Sequence, residues 1–315
     1  FCFPGAYKWM RNAKILTMPH PRYLRSFTSN LNLGSSGIDN VHKNYLKKEV
    51  SSLNESEKLC NLLLDEIYVK PELTFKGGKL EGIATMQPNQ ETINLATTIQ
   101  AFMIISIFSK NKDIVGLFPS YNLTGTHLHE LTLQVLYMLT DLGYKVLTVI
   151  SDNNGVNRAL FTKLCNGVLK TNFQNPFCLS DPIYVIFDSV HIFKSIRNNW
   201  LNQKDSNQTF VFPNFHDRNE VMTASVSHLK KVHEEEANSV IKLAPALNRK
   251  VLCPTSVERQ NVNLCVKFFD EKNIAALKQK CNDSNNNLSG TIMFLELVLK
   301  WWKIINVKNL YKDVS

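Results

Sequence analysis

With 315 residues, 44% of them hydrophobic, the chain is long enough to bury a substantial core in two domains. A formal charge of +9 favours an anionic partner such as nucleic acid, although basic soluble proteins of other functions share that balance. Seven cysteines without a CxxC pair argue against a disulfide framework and for reduced thiols in an intracellular compartment.

The apolar stretches are too short and too interrupted to cross a membrane, so no membrane partner is expected. Phe1 to Gly5 lack the basic and apolar regions of a signal peptide. With no initiator methionine, the sequence is expected to be a fragment or an incomplete gene model. Residues 1–58 read as a basic, partly helical leader broken at Pro19, Pro21, Gly34 and Gly37. Helices are expected over Tyr7–Ile15 and Asp39–Ser52, the second N-capped by Asp39 and solvated. Lys8, Arg11, Lys14, Arg22 and Arg25, interleaved with Trp9 and Tyr23, are candidates for phosphate contacts; a solvated linker is the alternative.

From Leu59 the pattern changes. Leu59–Val69 predicts a buried strand, yet Asp65 and Glu66 interrupt it. Burying an unpaired carboxylate is costly, so these acids either cap the strand or are delivered to a cation at its end. Leu73–Phe75 and Leu80–Ala84 flank Gly77-Gly78 as a hairpin. Ile99–Phe108 reads as a strand, Leu128–Leu142 as a helix closed by Gly143, Tyr144–Ile150 as a strand, Val156–Leu169 as a helix and Ile183–Phe187 as a strand. That order implies an α/β mixed sheet, antiparallel at its start and parallel after the first crossover.

Three of these strands run into an acid: Asp65, Asp152 and Asp188. Ligands of open α/β sheets gather beyond the carboxyl ends of strands. A lone strand-end Asp is commonly a cap; two on neighbouring strands repel unless a cation lies between them. Mg²⁺ suits such an all-oxygen site. After Asp188, the residues His191, Lys194, Arg197 and Trp200 fall on one helix face, which is either solvated or turned to a bound anion. Residues 203–219 are polar, 225–248 read as largely helical, and Gln260–Lys280 and Thr291–Ile305 as two further helices, so the second region is expected to be all-α.

These segments resemble the P-element-type transposases and their THAP-domain relatives. Leu63-Leu64-Asp65-Glu66-Ile67 is similar to the first catalytic strand of that family, and Ser151-Asp152-Asn153-Asn154-Gly155-Val156-Asn157 to its second acidic site. Ile186-Phe187-Asp188-Ser189-Val190-His191, continuing through Lys194, Arg197 and Asn198 to Asn199, looks like the family's Asp-Pro-x-His-x-x-Lys-x-x-Arg-Asn motif, with Ser189 in place of Pro. Ile15–Arg25 resembles the family's leader. Thr291, Phe294, Trp302 and Asn306 follow the pattern of its guanine-nucleotide-binding insertion.

The resemblance implies a ribonuclease-H-like mixed sheet over 59–187, followed by a mainly α-helical GTP-binding-type insertion domain over 188–315. It implies a nuclear DNA transposase acting on transposon ends, with a homo-oligomer as an expected assembly and two Mg²⁺ ions held by Asp65 and Asp152. Asp188, His191 and Glu66 are expected beside that site, and Lys194, Arg197 and Asn198 at phosphate, nucleotide or DNA. GTP is a possible cofactor, although the chain has no GxxxxGK[ST] phosphate loop. The family's third acid, the Glu of an Asp-x-x-Glu-x-x-Phe-Gly segment, has no match here; Glu296 lies in an apolar helix outside that motif. The zinc-binding THAP module is also unmatched. Catalysis by this chain alone is therefore not expected. A domesticated DNA- or GTP-binding protein is the competing reading. A DnaQ-like exonuclease fits less well, because it needs Asp-x-Glu where this chain has adjacent Asp65-Glu66.

Overall fold

The computed structural model describes residues 4–13, 19–20, 37–38, 40–76, 79–85, 93–178, 181–215, 217, 220–283 and 288–306. The chain divides into two compact units, Phe1–Ile186 and Phe187–Ser315. The first opens with helices α1 (Pro4–Asn12) and α2 (Asn40–Ser52). Asp39, the expected cap of α2, lies outside the described residues, as do Lys14, Arg22, Tyr23 and Arg25. The expectation of a solvated second helix is corrected. Leu46 and Val50 of α2 are buried, and Lys43 pairs with Asp141 at 3.1 Å. Charged residues on three sides of α2 hid a narrow apolar stripe.

Strand β1 (Leu59–Tyr68) follows, then the short hairpin β2 (Thr74–Lys76) and β3 (Lys79–Glu81), and β4 (Thr98–Ser106). The next elements are β5 (Lys112–Ser120), α3 (Gly125–Leu142), β6 (Lys145–Ser151), α4 (Gly155–Leu164), β7 (Asn172–Gln174) and β8 (Pro182–Phe187). The main sheet has six strands in the order β5-β4-β1-β6-β8-β7. β1 is central, antiparallel to β4 on one side and parallel to β6 on the other. Cys60, Leu62 and Leu64 turn one face of it into the core, as period-2 alternation requires.

The mixed α/β sheet was expected, but its antiparallel start was assigned to the wrong strands. The hairpin forms its own two-stranded sheet, and β4 and β5 supply the antiparallel part. β5 was not anticipated because Gly116 and Pro119 disrupt its pattern; as an edge strand it tolerates the missing N–H. Helix α3 is capped by Thr124, which accepts from the His127 N–H, and closed by Gly143 at φ 96°. A Cβ on Gly125 would sit 2.5 Å from Ala159 Cβ, so this glycine sets the close approach of α3 to α4. α4 ends at Leu164 rather than Leu169, because Asn166 and Gly167 take positive φ and turn the chain.

The second unit holds α5 (Ser189–Leu201), β9 (Thr209–Pro213), β10 (Val221–Ser225), α6 (Val226–Glu235) and α7 (Arg249–Leu252). Helices α8 (Val262–Phe268), α9 (Glu271–Asp283) and α10 (Ser289–Ile305) complete it. Its core is aromatic. Phe193 stacks on Trp302 with ring centroids 4.2 Å apart, and Trp200 meets Phe294 edge-on at 4.9 Å. The all-α expectation is corrected by the β9–β10 hairpin, which pairs Met222 with Phe212 and Ala224 with Phe210. The unit is still mainly helical. The long helix expected over 260–280 is broken where Phe268 and Phe269 both enter the core and Asp270 accepts from the Lys272 N–H at 2.9 Å. Between Glu235 and Arg249 the chain is not helical; the Glu236 carboxylate accepts from the Leu243 and Ala244 N–H groups instead.

Candidate metal and nucleic-acid site

The parallel register between β1 and β6 pairs Leu62 with Val149 and Leu63 with Ile150. Carried two residues further, it sets Asp65 alongside Asp152, the first residue past β6. Neighbouring strands run about 4.8 Å apart, so the two acids arrive together at one end of the sheet. Each is then held locally. Asp65 is exposed and accepts from the Glu66 N–H at 2.9 Å. Its own carbonyl accepts from Gln100 Nε2 at 3.1 Å, which ties β1 to β4 at this residue.

Asp152 leaves the strand and is met by Asn157, whose Nδ2 donates to the Asp152 carboxylate and, at 3.3 Å, to its carbonyl. Asn157 is buried in the first turn of α4. Asn154 caps that turn by accepting from the Asn157 N–H at 2.8 Å. The Asp-Asn-Asn-Gly-Val-Asn sequence is thus a strand end, a cap and a clamp in succession. Below this end, Asn61 and Thr148 bond at 2.8 Å across β1 and β6.

Glu66 follows Asp65 directly, so the pleat sends it to the opposite face. There it borders a polar recess of about 240 Å³ with Thr98, Gln100, Asn122, Asn154 and Asn157. Gln100 is buried and was missed in the sequence. Its signal was a lone amide in an apolar strand run, which has to find a partner when buried.

The residues present fit a divalent ion. Their donors are carboxylate oxygens, which Mg²⁺ prefers, and Mg²⁺ commonly takes one or two carboxylates and completes its shell with water and phosphate. Among the described residues no group of three or more His, Cys, Asp or Glu side chains is arranged to hold a metal ion, so Asp65 and Asp152 stand as a pair.

The other candidates lie in the second unit. Asp188 caps α5, accepting from the Val190 N–H at 2.7 Å and the His191 N–H at 3.3 Å. His191 is exposed and Lys194 half-buried, while Arg197 and Trp200 are fully buried. The expected face of four therefore does not form one exposed surface for an anion. Helical spacing placed the residues correctly, and the β9–β10 hairpin and α8 then covered half of the stripe. Trp200 Nε1 donates to the Ala224 carbonyl. Arg197 donates to the Arg259 carbonyl at 2.7 Å and to Asn198 Oδ1 at 3.1 Å, and its Nη1 is buried with no partner. Burial pushes the Arg197 guanidinium below its ordinary value.

Comparison with known proteins agrees with this architecture. Residues 34–165 match the family model described as TNP-like, RNase H N-terminal domain. The chain is 25% identical to the human DNA transposase THAP9 over 98% of its own length and 34% of that protein. It is 25% identical to the transposable element P transposase of Drosophila melanogaster over 55% of its length and 22% of that protein. It therefore spans about a third or less of these curated relatives. The Drosophila P element transposase strand transfer complex shares its fold, with a TM-score of 0.75 over 97% of this chain and 63% of that one, at 19% identity. The resemblance to P-element-type transposases holds on sequence and on fold.

Proposed function

We propose that this relative of the P-element-type transposases is a DNA-binding, ribonuclease-H-like portion of a transposase, with Asp65 and Asp152 as its metal-binding acids. The observation that carries the reading is the register that brings these two acids to one end of β1 and β6. Two carboxylates so placed repel one another, and a shared divalent cation relieves that repulsion. Bound there, the ion supplies charge neutralisation and activation of an attacking oxygen at a phosphodiester. The chain's own residues do the positioning. Asn157 fixes the Asp152 carboxylate, Gln100 fixes the backbone at Asp65, and Arg158, tied to Asn153 Oδ1 at 2.6 Å, adds positive charge near a phosphate.

With two acids in place, binding of metal and DNA is the activity expected of this chain, and strand cleavage needs a third. Mn²⁺ binding followed by electron paramagnetic resonance tests the pair. Asp65→Asn or Asp152→Asn should each abolish binding while leaving the fold intact; binding unchanged in both variants would remove the metal reading. Incubated with duplex DNA and Mg²⁺, the chain should bind without nicking. Nicking lost in Asp152→Asn would show that another acid, Glu66 first, completes the set. A guanine nucleotide is proposed for the second unit on the resemblance alone, with Lys194 as phosphate partner and Arg197 left to the fold; calorimetry with GTP against ATP tests it.

A further inference from the structure

The polar recess bordered by Glu66 lies on the face of β1 and β4 that enters the core, opposite the face carrying Asp65. The antiparallel register sets Glu66 directly across from Gln100, and Tyr68 across from Thr98, so all four side chains share this face. Asn122, ahead of α3, and the first turn of α4 form the other wall. The recess therefore sits beyond the carboxyl ends of β1 and β6, where open α/β sheets take their ligands. Its volume of about 240 Å³ falls below the roughly 300–1,000 Å³ of pockets that enclose drug-sized molecules, which suits a single ring system. Asn157 is the partition between the two faces: its Nδ2 holds the Asp152 carboxylate, and the same residue lines the recess.

One wall of the recess is built of acceptors. Thr98 is 5% exposed, and its hydroxyl has no hydrogen-bond partner among the described residues. Gln100 is 3% exposed. Its Nε2 is committed to the Asp65 and Ala101 carbonyls at 3.1 and 3.4 Å, which leaves Oε1 as an acceptor there. The half-buried Glu66 carboxylate lies beside it, with no cation paired to it among the described residues. The facing wall is built of donors. Asn154 spends its Oδ1 on the Asn157 N–H at 2.8 Å, so its Nδ2 is left to donate. The Val156 N–H, in the first turn of α4, has no intrahelical acceptor, and a helix N-terminus carries positive partial charge. Tyr68 stands at the rim, 83% exposed.

We infer that this recess takes one unpaired base of the bound DNA, with guanine preferred. The inference rests on the DNA reading above. The acceptor wall calls for adjacent N–H donors, and the donor wall calls for acceptors on the same ring. Guanine offers both. Its N1–H and N2–H₂ pair with a carboxylate such as Glu66, and its O6 and N7 accept from the side of Asn154. A guanidinium or ammonium group would satisfy Glu66 but has no acceptor for the facing wall, and the α4 N-terminus disfavours a cation. Thymine sets one N–H between two carbonyls and would turn a carbonyl toward the carboxylate. The Tyr68 ring adds a stacking face that any base can use, so the edge groups set the choice. Because Asn157 joins the recess to Asp152, a base seated here positions its strand beside that acid.

The test is fluorescence anisotropy of the full chain on labelled duplexes that end in a single unpaired 3′ guanine or thymine. Affinities are compared as a ratio within each variant, so a general loss of DNA affinity cancels. The parent should bind the guanine duplex about tenfold more tightly than the thymine one. Glu66→Gln should bring that ratio close to one, and Thr98→Val should lower it. Thr98→Val removes a hydroxyl that bonds to nothing in the protein, so its urea midpoint should match or exceed the parent's. Tyr68→Ala should weaken both duplexes by a similar factor, about five- to tenfold, with the ratio kept. A parent that binds DNA without preference, or a preference that survives in both Glu66→Gln and Thr98→Val, overturns the inference while the DNA reading stands. If the parent binds no DNA, both fall. If deoxyguanosine monophosphate binds more tightly than the guanine duplex and loses that affinity in Glu66→Gln, the recess serves a free nucleotide and its assignment to DNA is overturned.

Discussion

Gly290→Ala sets helix propensity against tertiary packing and gives them opposite signs. Gly290 is the second residue of α10, where alanine would ordinarily add about 1 kcal/mol over glycine. In the fold, a Cβ at this position would lie 2.2 Å from the Thr223 carbonyl oxygen of β10. That obstacle is backbone and cannot rotate away, so α10 and the β9–β10 hairpin must part by about 1 Å or strain, at a cost of roughly 1–3 kcal/mol. Two hydrogen bonds cross the same contact. The Ser225 N–H donates to Thr291 Oγ1 at 3.0 Å, and His228 Nδ1 meets the same hydroxyl at 2.8 Å. Stretching them costs about 1 kcal/mol each. The net expectation is a loss of about 2–4 kcal/mol from the second unit.

Urea unfolding monitored by tryptophan fluorescence reads this unit, because Trp200, Trp301 and Trp302 lie in it and only Trp9 lies in the first. At an m-value of about 2 kcal/mol/M, the midpoint should fall by about 1–2 M. Gly155→Ala is the control, since a Cβ there meets nothing within 4 Å, and it should leave the first unit as stable or slightly more so. A Gly290→Ala variant as stable as the parent would refute the close approach of α10 to β10.

Further tests follow from the buried polar groups and the aromatic core. Arg197 is buried with no acidic partner among the hydrogen bonds of its guanidinium, so Arg197→Met should come within about 1 kcal/mol of the parent. Arg197→Lys, which keeps the charge but loses the fork to Arg259 and Asn198, should be less stable than Arg197→Met by about 2 kcal/mol; the reverse order by urea unfolding would show that the charge itself is needed. Trp200→Ala should cost about 3–5 kcal/mol, and Trp200→Phe clearly less; a near-neutral Trp200→Ala would contradict its place beside Phe268 and Phe294. Burial first, and for Glu49 the nearby Asp113 charge next, raise the carboxyl values of both residues above the ordinary range. Acids raised on folding contribute stability that is complete below their unfolded values, near pH 4, and lost as pH rises through the folded ones. Glu49→Gln keeps an acceptor for the Tyr144 hydroxyl. It should flatten that decline and gain less than about 1 kcal/mol at neutral pH, because the pair is partly solvated; an unchanged pH profile of unfolding would rule the pair out as its source.

The sequence by itself determined the elements whose signals are local. The period-2 run of β1, the capped helix ending at Gly143 and the strand-to-turn sequence around Asp152 were each readable, because each depends on a few adjacent residues. It also marked Asp65 and Asp152, since a carboxylate ending an apolar run has no packing reason to be there. Only the tertiary structure decided what lies beside what. β1 is flanked by β4 and β6, so the register carries the two acids to one end of the sheet, and the readable hairpin stands outside the main sheet. Lone polar residues such as Gln100, Asn157 and Arg197 look alike in sequence, whether they serve a site, a cap or a buried tie. Their roles are fixed by backbone carbonyls and carboxylates on other elements: Asp65 for Gln100, Asp152 for Asn157 and Arg259 for Arg197. The same holds for the stripe on α5, where helical spacing put His191, Lys194, Arg197 and Trp200 on one face. Which half of that face water reaches was settled by β10 and α8, whose residues lie on average dozens of positions further along the chain, and burial by such distant elements leaves no periodic trace in the helix itself.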